Sequence, residues 1–174
     1  MHALETISEL KNAIALYPDF PKPGILFQDL SPLFKDKHLY KKLLDLLTEK
    51  TIALDEFDYV IGIEARGFIL GAALASRLHC GFIPLRKKGK LPGEITQVKY
   101  DLEYGTDILE IQHHADLHSK KLLIIDDVFA TGGTLKGAIQ LLKKYSSHLT
   151  ALVLLDIGIT DIKQLGIDYV VLLK

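Results

Sequence analysis

The chain has 174 residues, 48% of them apolar and 25% charged, with a formal net charge of −1. That length supports one domain with a sizeable core, and the near-neutral charge argues against a nucleic-acid partner. No apolar run reaches membrane-spanning length, and Met1 to Leu10 carries acids and no apolar signal-peptide region; with Cys80 the single cysteine, the expectation is a cytoplasmic protein without disulfides or a membrane partner. The histidines are scattered apart from His113-His114, and neighbours in sequence do not face one ligand on a strand or helix, so no zinc site is expected.

In chain order, Leu4, Ile7, Leu10, Ile14 and Leu16 space as an amphipathic helix over Leu4 to Tyr17. Pro18, Pro21 and Pro23-Gly24 then forbid a helix. The stiff segment running on to Ile25-Leu26-Phe27 admits two readings: a flap over a flat heterocycle, or a core cap without a ligand. Asp36 to Glu49 reads as a second helix, and Phe57 to Ile63 as a buried strand. That strand ends at Glu64-Ala65-Arg66-Gly67, ahead of a helix from Phe68 to Leu78. Arg66 is therefore expected in the crevice where open α/β sheets bind ligands, its fork suited to a diphosphate; a surface pair with Glu64 is the plainer alternative.

Gly81 to Leu85 reads as a third strand, and the basic run Arg86-Lys87-Lys88-Gly89-Lys90 follows it directly. A charge run is usually a solvated face, but this one starts at a strand end and so reaches the same crevice. Val98 to Glu110 reads as a lid and hairpin arm, with mobility expected from Ile95 to Tyr104. Two more apolar strands, Ala151 to Leu155 and Tyr169 to Leu173, flank a helical turn over Asp161 to Leu165. Strands alternating with helices indicate an α/β fold with a central parallel sheet flanked by helices.

The most informative stretch is Lys121 to Thr134. Leu122 to Ile125 is a continuous apolar run, as in a central parallel strand, and Asp126-Asp127 stands where it is expected to end. Ala130-Thr131-Gly132-Gly133-Thr134 lacks bulk and precedes a helical pattern from Leu135 to Tyr145. Free N–H groups at a helix N-terminus form an anion site, so a phosphate belongs in the loop. The acids repel that phosphate and suit hydroxyl groups or a divalent cation. Phosphate in the loop and hydroxyls on the acids together describe a ribose 5-phosphate.

This stretch resembles the phosphoribosyl pyrophosphate motif of the type I phosphoribosyltransferases. The phrases Asp19 to Phe27, Glu64 to Phe68, Arg86 to Gly93 and Tyr100 to Gly105, in that order, extend the resemblance to the adenine phosphoribosyltransferases. The resemblance implies a type I phosphoribosyltransferase fold in a single domain, 1–174, with a small N-terminal hood at about 18–34 and a mobile lid at about 95–106. It implies purine salvage: adenine and phosphoribosyl pyrophosphate give AMP and pyrophosphate, with Mg²⁺ held through substrate and water rather than directly by side chains. A homodimer is also implied.

By the same resemblance, Asp126 and Asp127 take the ribose hydroxyls, while Ala130, Thr131, Gly132, Gly133 and Thr134 hold the 5-phosphate. Arg66 and Lys90 contact pyrophosphate, Lys87 stands close by, and Arg86 acts across a dimer. A cis peptide is implied at Glu64–Ala65. Leu26 reads the adenine edge through its backbone, Phe27 covers the ring, and Glu103 on the lid manages the proton of the base. The chain departs from many relatives at Gln28, where Arg is common, and at Phe129, where Leu is often found. Two other readings compete: a phosphoribosyltransferase for another base such as hypoxanthine, which the hood phrase argues against, and a phosphoribosyl pyrophosphate-sensing regulator, which charge and length argue against.

Overall fold

The computed structural model describes residues 2–101, 105–113 and 115–174, with no side-chain description for 2, 3 and 115. Helix α1 (His2–Asn12) leads into a two-stranded antiparallel ribbon of β1 (Ala15–Pro18) and β2 (Leu26–Asp29), in which Tyr17 pairs with Phe27. The helix expected to reach Tyr17 therefore stops at Asn12. Leu16, which fitted the helical period, is instead 57% exposed on the ribbon, so its spacing was coincidental. Short α2 (Ser31–Lys35) and long α3 (Lys37–Ile52) follow. The Asp36 carboxylate caps α3 by accepting from the N–H groups of His38 and Leu39 at 2.8 and 3.0 Å, which fixes the start of that helix.

The remaining strands form one seven-stranded sheet. They are β3 (Tyr59–Ile63), β4 (Gly81–Lys87), β5 (Ile95–Asp101), β6 (Thr106–Gln112), β7 (Leu122–Phe129), β8 (Leu149–Asp156) and β9 (Asp168–Leu173), in the order β5-β6-β4-β3-β7-β8-β9. β4, β3, β7, β8 and β9 run parallel. β5 and β6 form an antiparallel hairpin whose inner strand joins β4 only at Arg86 and Lys87. The sheet is thus parallel at its centre and mixed at one edge.

Residues of β7 alternate between two cores, as strand geometry requires. Leu122 and Ile124 face a core shared with the hairpin residues Val98 and Tyr100 and with α5 (Gly133–Leu142). Leu123 and Ile125 face the opposite core, with α3 and α4 (Arg66–Leu78). With both faces covered, the strand needs no polar side, and Leu122 to Ile125 are all fully buried.

The chain leaves β3 through α4 toward β4 on one side, and leaves β7 through α5 toward β8 on the other. Neighbouring strands β3 and β7 therefore flank the topological switch point, the place where such sheets open a crevice. Register sharpens this point. β3 pairs with β7 only from Tyr59↔Leu122 to Gly62↔Ile125, whereas β8 follows β7 as far as Phe129↔Asp156. The two acids do not end the strand, as the sequence reading had it. They lie within β7, on the part that has outrun β3.

Candidate active site

Gly67 sets the first side of the crevice. A Cβ there would stand 2.7 Å from the Ile125 carbonyl oxygen, so only glycine lets the first turn of α4 approach β7 this closely. Arg66 is thereby brought onto Asp127, its Nε making an ion contact with Asp127 Oδ2. Asp127 Oδ2 is buried and accepts no hydrogen bond, so the contact is electrostatic. Arg66 thus pairs with Asp127 across the switch point and not with Glu64.

Asp126 sits on the other side of the strand, beside the loop. Its Oδ1 accepts from the Asp127 N–H at 2.9 Å. Burial first, and the adjacent Asp127 carboxylate second, hold the Asp126 carboxyl well above the usual carboxylate range. With Arg66 their neighbouring cation, the two acids form a site short of positive charge.

The loop after β7 encloses a cavity of about 80 Å³, lined by Ala130 to Thr134 with Asp126 at its edge. Gly132 has φ 79 immediately before α5, and a Cβ at this position would meet the Phe129 ring at 2.7 Å. Glycine is required there twice over, by backbone conformation and by contact. The first turn of α5 carries no side-chain cap, which leaves its N–H groups available to an anion. From outside the motif, Thr160 Oγ1 donates to the Ala130 carbonyl at 2.7 Å, and the Ile157 N–H donates to the Phe129 carbonyl at 3.1 Å. No local sequence signal marked Thr160, because its partner is remote in the chain.

On the basic side, the peptide Glu64–Ala65 is cis. Glu64, considered in the sequence only as a partner for Arg66, gathers the basic run instead. Its Oε1 contacts Lys90 Nζ, and its Oε2 accepts the Lys87 N–H at 2.9 Å with Arg86 Nε 3.5 Å away. Arg86 also lies over the Phe68 ring, 6.0 Å from its centroid. The Lys87 side chain turns to the hairpin, where Nζ donates to Asp107 Oδ2 at 2.6 Å and contacts the Tyr100 hydroxyl. Burial opposes the charge on Lys87, but Asp107 and Tyr100 outweigh it and raise its ammonium above the ordinary value. Glu103, assigned to the proton of the base, lies outside the described residues.

In the hood, Phe20 and Phe27 meet edge to face at 5.2 Å. They line an open cavity of about 450 Å³ together with Tyr17, Pro18 and Asp19. Leu26 is 53% exposed. Gln28 faces a different depression, beside Leu16, Ile157 and Gly158. Among the described residues, no group of three His, Cys, Asp or Glu side chains is placed to hold a metal ion.

Comparison with known proteins agrees with this arrangement. The phosphoribosyl transferase domain family matches residues 34–172. The chain is 49% identical over 142 residues to the adenine phosphoribosyltransferase of Nostoc punctiforme, covering 81% of this chain and 83% of that one. It is 46% identical over 155 residues to the enzyme of the same name from Halothermothrix orenii, covering 89% and 90%. Its fold is similar to that of the Saccharomyces cerevisiae adenine phosphoribosyltransferase, solved with an imino-altritol bisphosphate and adenine, with a TM-score of 0.91, 36% identity and coverage of 98% and 99%. The Thermoanaerobacter pseudethanolicus enzyme gives a TM-score of 0.90, 39% identity and coverage of 97% and 99%. A strand carrying paired acids into a glycine loop, an arginine across the switch point and an aromatic hood are thus set in a chain that belongs to the adenine phosphoribosyltransferases, on the type I phosphoribosyltransferase fold.

Proposed function

We propose that the chain transfers the phosphoribosyl group of 5-phosphoribosyl 1-pyrophosphate to adenine, releasing AMP and pyrophosphate in purine salvage. The observation that carries this reading is the switch-point site, in which Asp126 and Asp127 stand between an anion loop and a basic cluster. One substrate matches all three: a 5-phosphate for the loop, ribose hydroxyls for the acids, and a 1-pyrophosphate for the cations. The yeast relative, solved with a bisphosphate and adenine together, supports a doubly anionic ligand beside a purine.

In this mechanism the N–H groups of Ala130 to Thr134 fix the 5-phosphate, and the carboxylates of Asp126 and Asp127 hold the hydroxyls, so the sugar cannot rotate. Departure of pyrophosphate leaves an oxocarbenium-like charge on the ribose, which the nearby carboxylates favour. Arg66, Arg86 and Lys90 meet the opposite charge on the leaving group. Lys87 contributes from the hairpin side. In the hood, Phe20 and Phe27 cover the base and exclude water, while the Leu26 backbone reads the adenine edge. Glu103 accepts or holds the proton shed by the attacking ring nitrogen.

Mg²⁺ fits a site of this kind through the substrate: its habit of keeping several waters and binding substrate phosphates leaves Asp126 and Asp127 to the ribose hydroxyls. When bound, it supplies charge neutralisation on the leaving pyrophosphate. We assign the chain as one domain with its hood at about 18–34 and a lid at about 95–106, acting as a homodimer in the cytoplasm. Among the described residues, no helix is long and apolar enough to cross a membrane.

Thermal unfolding tests the site directly. Phosphoribosyl pyrophosphate with Mg²⁺ at 100 times its Kd stabilises by about 2.7 kcal/mol, which corresponds to a rise in Tm of roughly 5–10 °C. No rise at saturating ligand would remove the basis for the assignment.

A further inference from the structure

Among the described residues, Glu64 is the acid that faces both Arg86 and Lys90, two of the cations assigned to pyrophosphate. Its side chain is only 11% exposed, yet it serves three neighbours on the β4 end and the loop beyond. These contacts differ in kind. The Lys87 N–H is a backbone donor fixed by the strand at 2.9 Å. Arg86 lies over the Phe68 ring and donates from Nη1 to the Lys90 carbonyl at 3.5 Å, and its Nε is buried without a hydrogen-bond partner, 3.5 Å from Glu64 Oε2. Lys90, by contrast, is 46% exposed and touches Glu64 through a single ammonium on Oε1. A contact of that kind is weak in water and readily exchanged.

We infer that Glu64 is the counter-ion that pyrophosphate replaces. In the free protein it holds Lys90 against the crevice; the arriving diphosphate takes Lys90 from it, while the Lys87 N–H keeps Glu64 in place. The inference rests on the proposed function, since it needs pyrophosphate to bind at the basic cluster. Its physical ground is competition for one cation. A diphosphate carries more charge and more acceptor oxygens than one carboxylate. Glu64 keeps the half-exposed lysine–arginine cluster from self-repulsion until the ligand arrives, at the expense of some ligand affinity. Glu64 is a positioning residue and touches no reacting atom.

The test is calorimetric titration of the 174-residue protein with pyrophosphate and Mg²⁺. Glu64→Gln retains an acceptor for the Lys87 N–H and releases Lys90, so pyrophosphate should bind about two- to fivefold tighter, the range set by an exposed ion pair. In a Lys90→Ala background the same substitution should change nothing. Glu64→Asp retains the charge but withdraws it from Lys90, and it too should tighten binding, with unchanged ligand-free Tm as the check on folding. Unchanged or weaker binding in Glu64→Gln overturns the inference. So does a gain that persists without Lys90, or a gain absent in Glu64→Asp, since either reports general repulsion. If the wild-type protein binds no pyrophosphate, the functional reading itself fails, an outcome distinct from all of these.

Discussion

The two walls of the site are built differently. The phosphoribosyl wall is the continuation of a fully buried strand: Asp127 is 6% exposed, Phe129 is 3% exposed, and Gly67 and Gly132 have no space for a side chain. The base wall is a ribbon of two four-residue strands on the surface, with Leu16, Tyr17, Phe20 and Leu26 all more than half exposed. The family match begins at residue 34 and leaves that ribbon out. On the proposed function, the common part of the reaction, binding a phosphorylated sugar, is thus fixed in the core of the sheet, and the choice of base is left to a lightly packed attachment. A core position cannot vary without disturbing both packed layers, whereas an exposed ribbon can.

This contrast is broken or sharpened by substitution. The largest effect is expected at Asp127. Asp127→Asn removes the Arg66 contact and a hold on the ribose, and turnover should fall on the order of a hundredfold with ligand-free Tm little changed. A matching loss of stability would make Asp127 a structural residue. Next is the hood: Phe27→Ala should raise KM for adenine roughly tenfold, the scale of one base–aromatic stack, and leave KM for phosphoribosyl pyrophosphate alone. Equal effects on both constants would show that the walls are not separable.

The smallest effect has the opposite sign. Asp126 has its folded pKa raised, by burial and by Asp127. A carboxyl raised in the folded state costs stability at pH above its unfolded value, and the cost fades as pH falls from the folded pKa toward that value. Asp126→Asn should therefore raise the ligand-free Tm at neutral pH, with the gain shrinking as pH falls toward the ordinary value of 3.8. A stability loss at neutral pH would contradict this picture of acids held at a cost for ligand.

What the sequence revealed follows the same division. Leu122 to Thr134 was legible because a buried strand, a pair of acids and a small-residue loop are all local signals. Arg66 was legible because it follows a strand directly. The helix over Leu4 to Tyr17 was misjudged at its end, because ribbon pairing between Tyr17 and Phe27 is long-range information and Leu16 mimicked a helical period. The sequence puts the acids at the end of the strand, because only the register shows β7 outrunning β3. The side-chain partners of Glu64 and the Thr160 brace join residues 22 or more apart, Lys87 meets Tyr100 and Asp107 at separations of 13 and 20, and no spacing rule reaches that far.

Formation of nucleotide monophosphate from phosphoribosyl pyrophosphate and Mg²⁺, compared across adenine, hypoxanthine, guanine and xanthine, tests the division of labour most directly. Turnover with adenine well above the other three bases is the predicted result. Turnover with hypoxanthine well above adenine would contradict the assignment of the hood, and turnover with none of the four would contradict the enzyme.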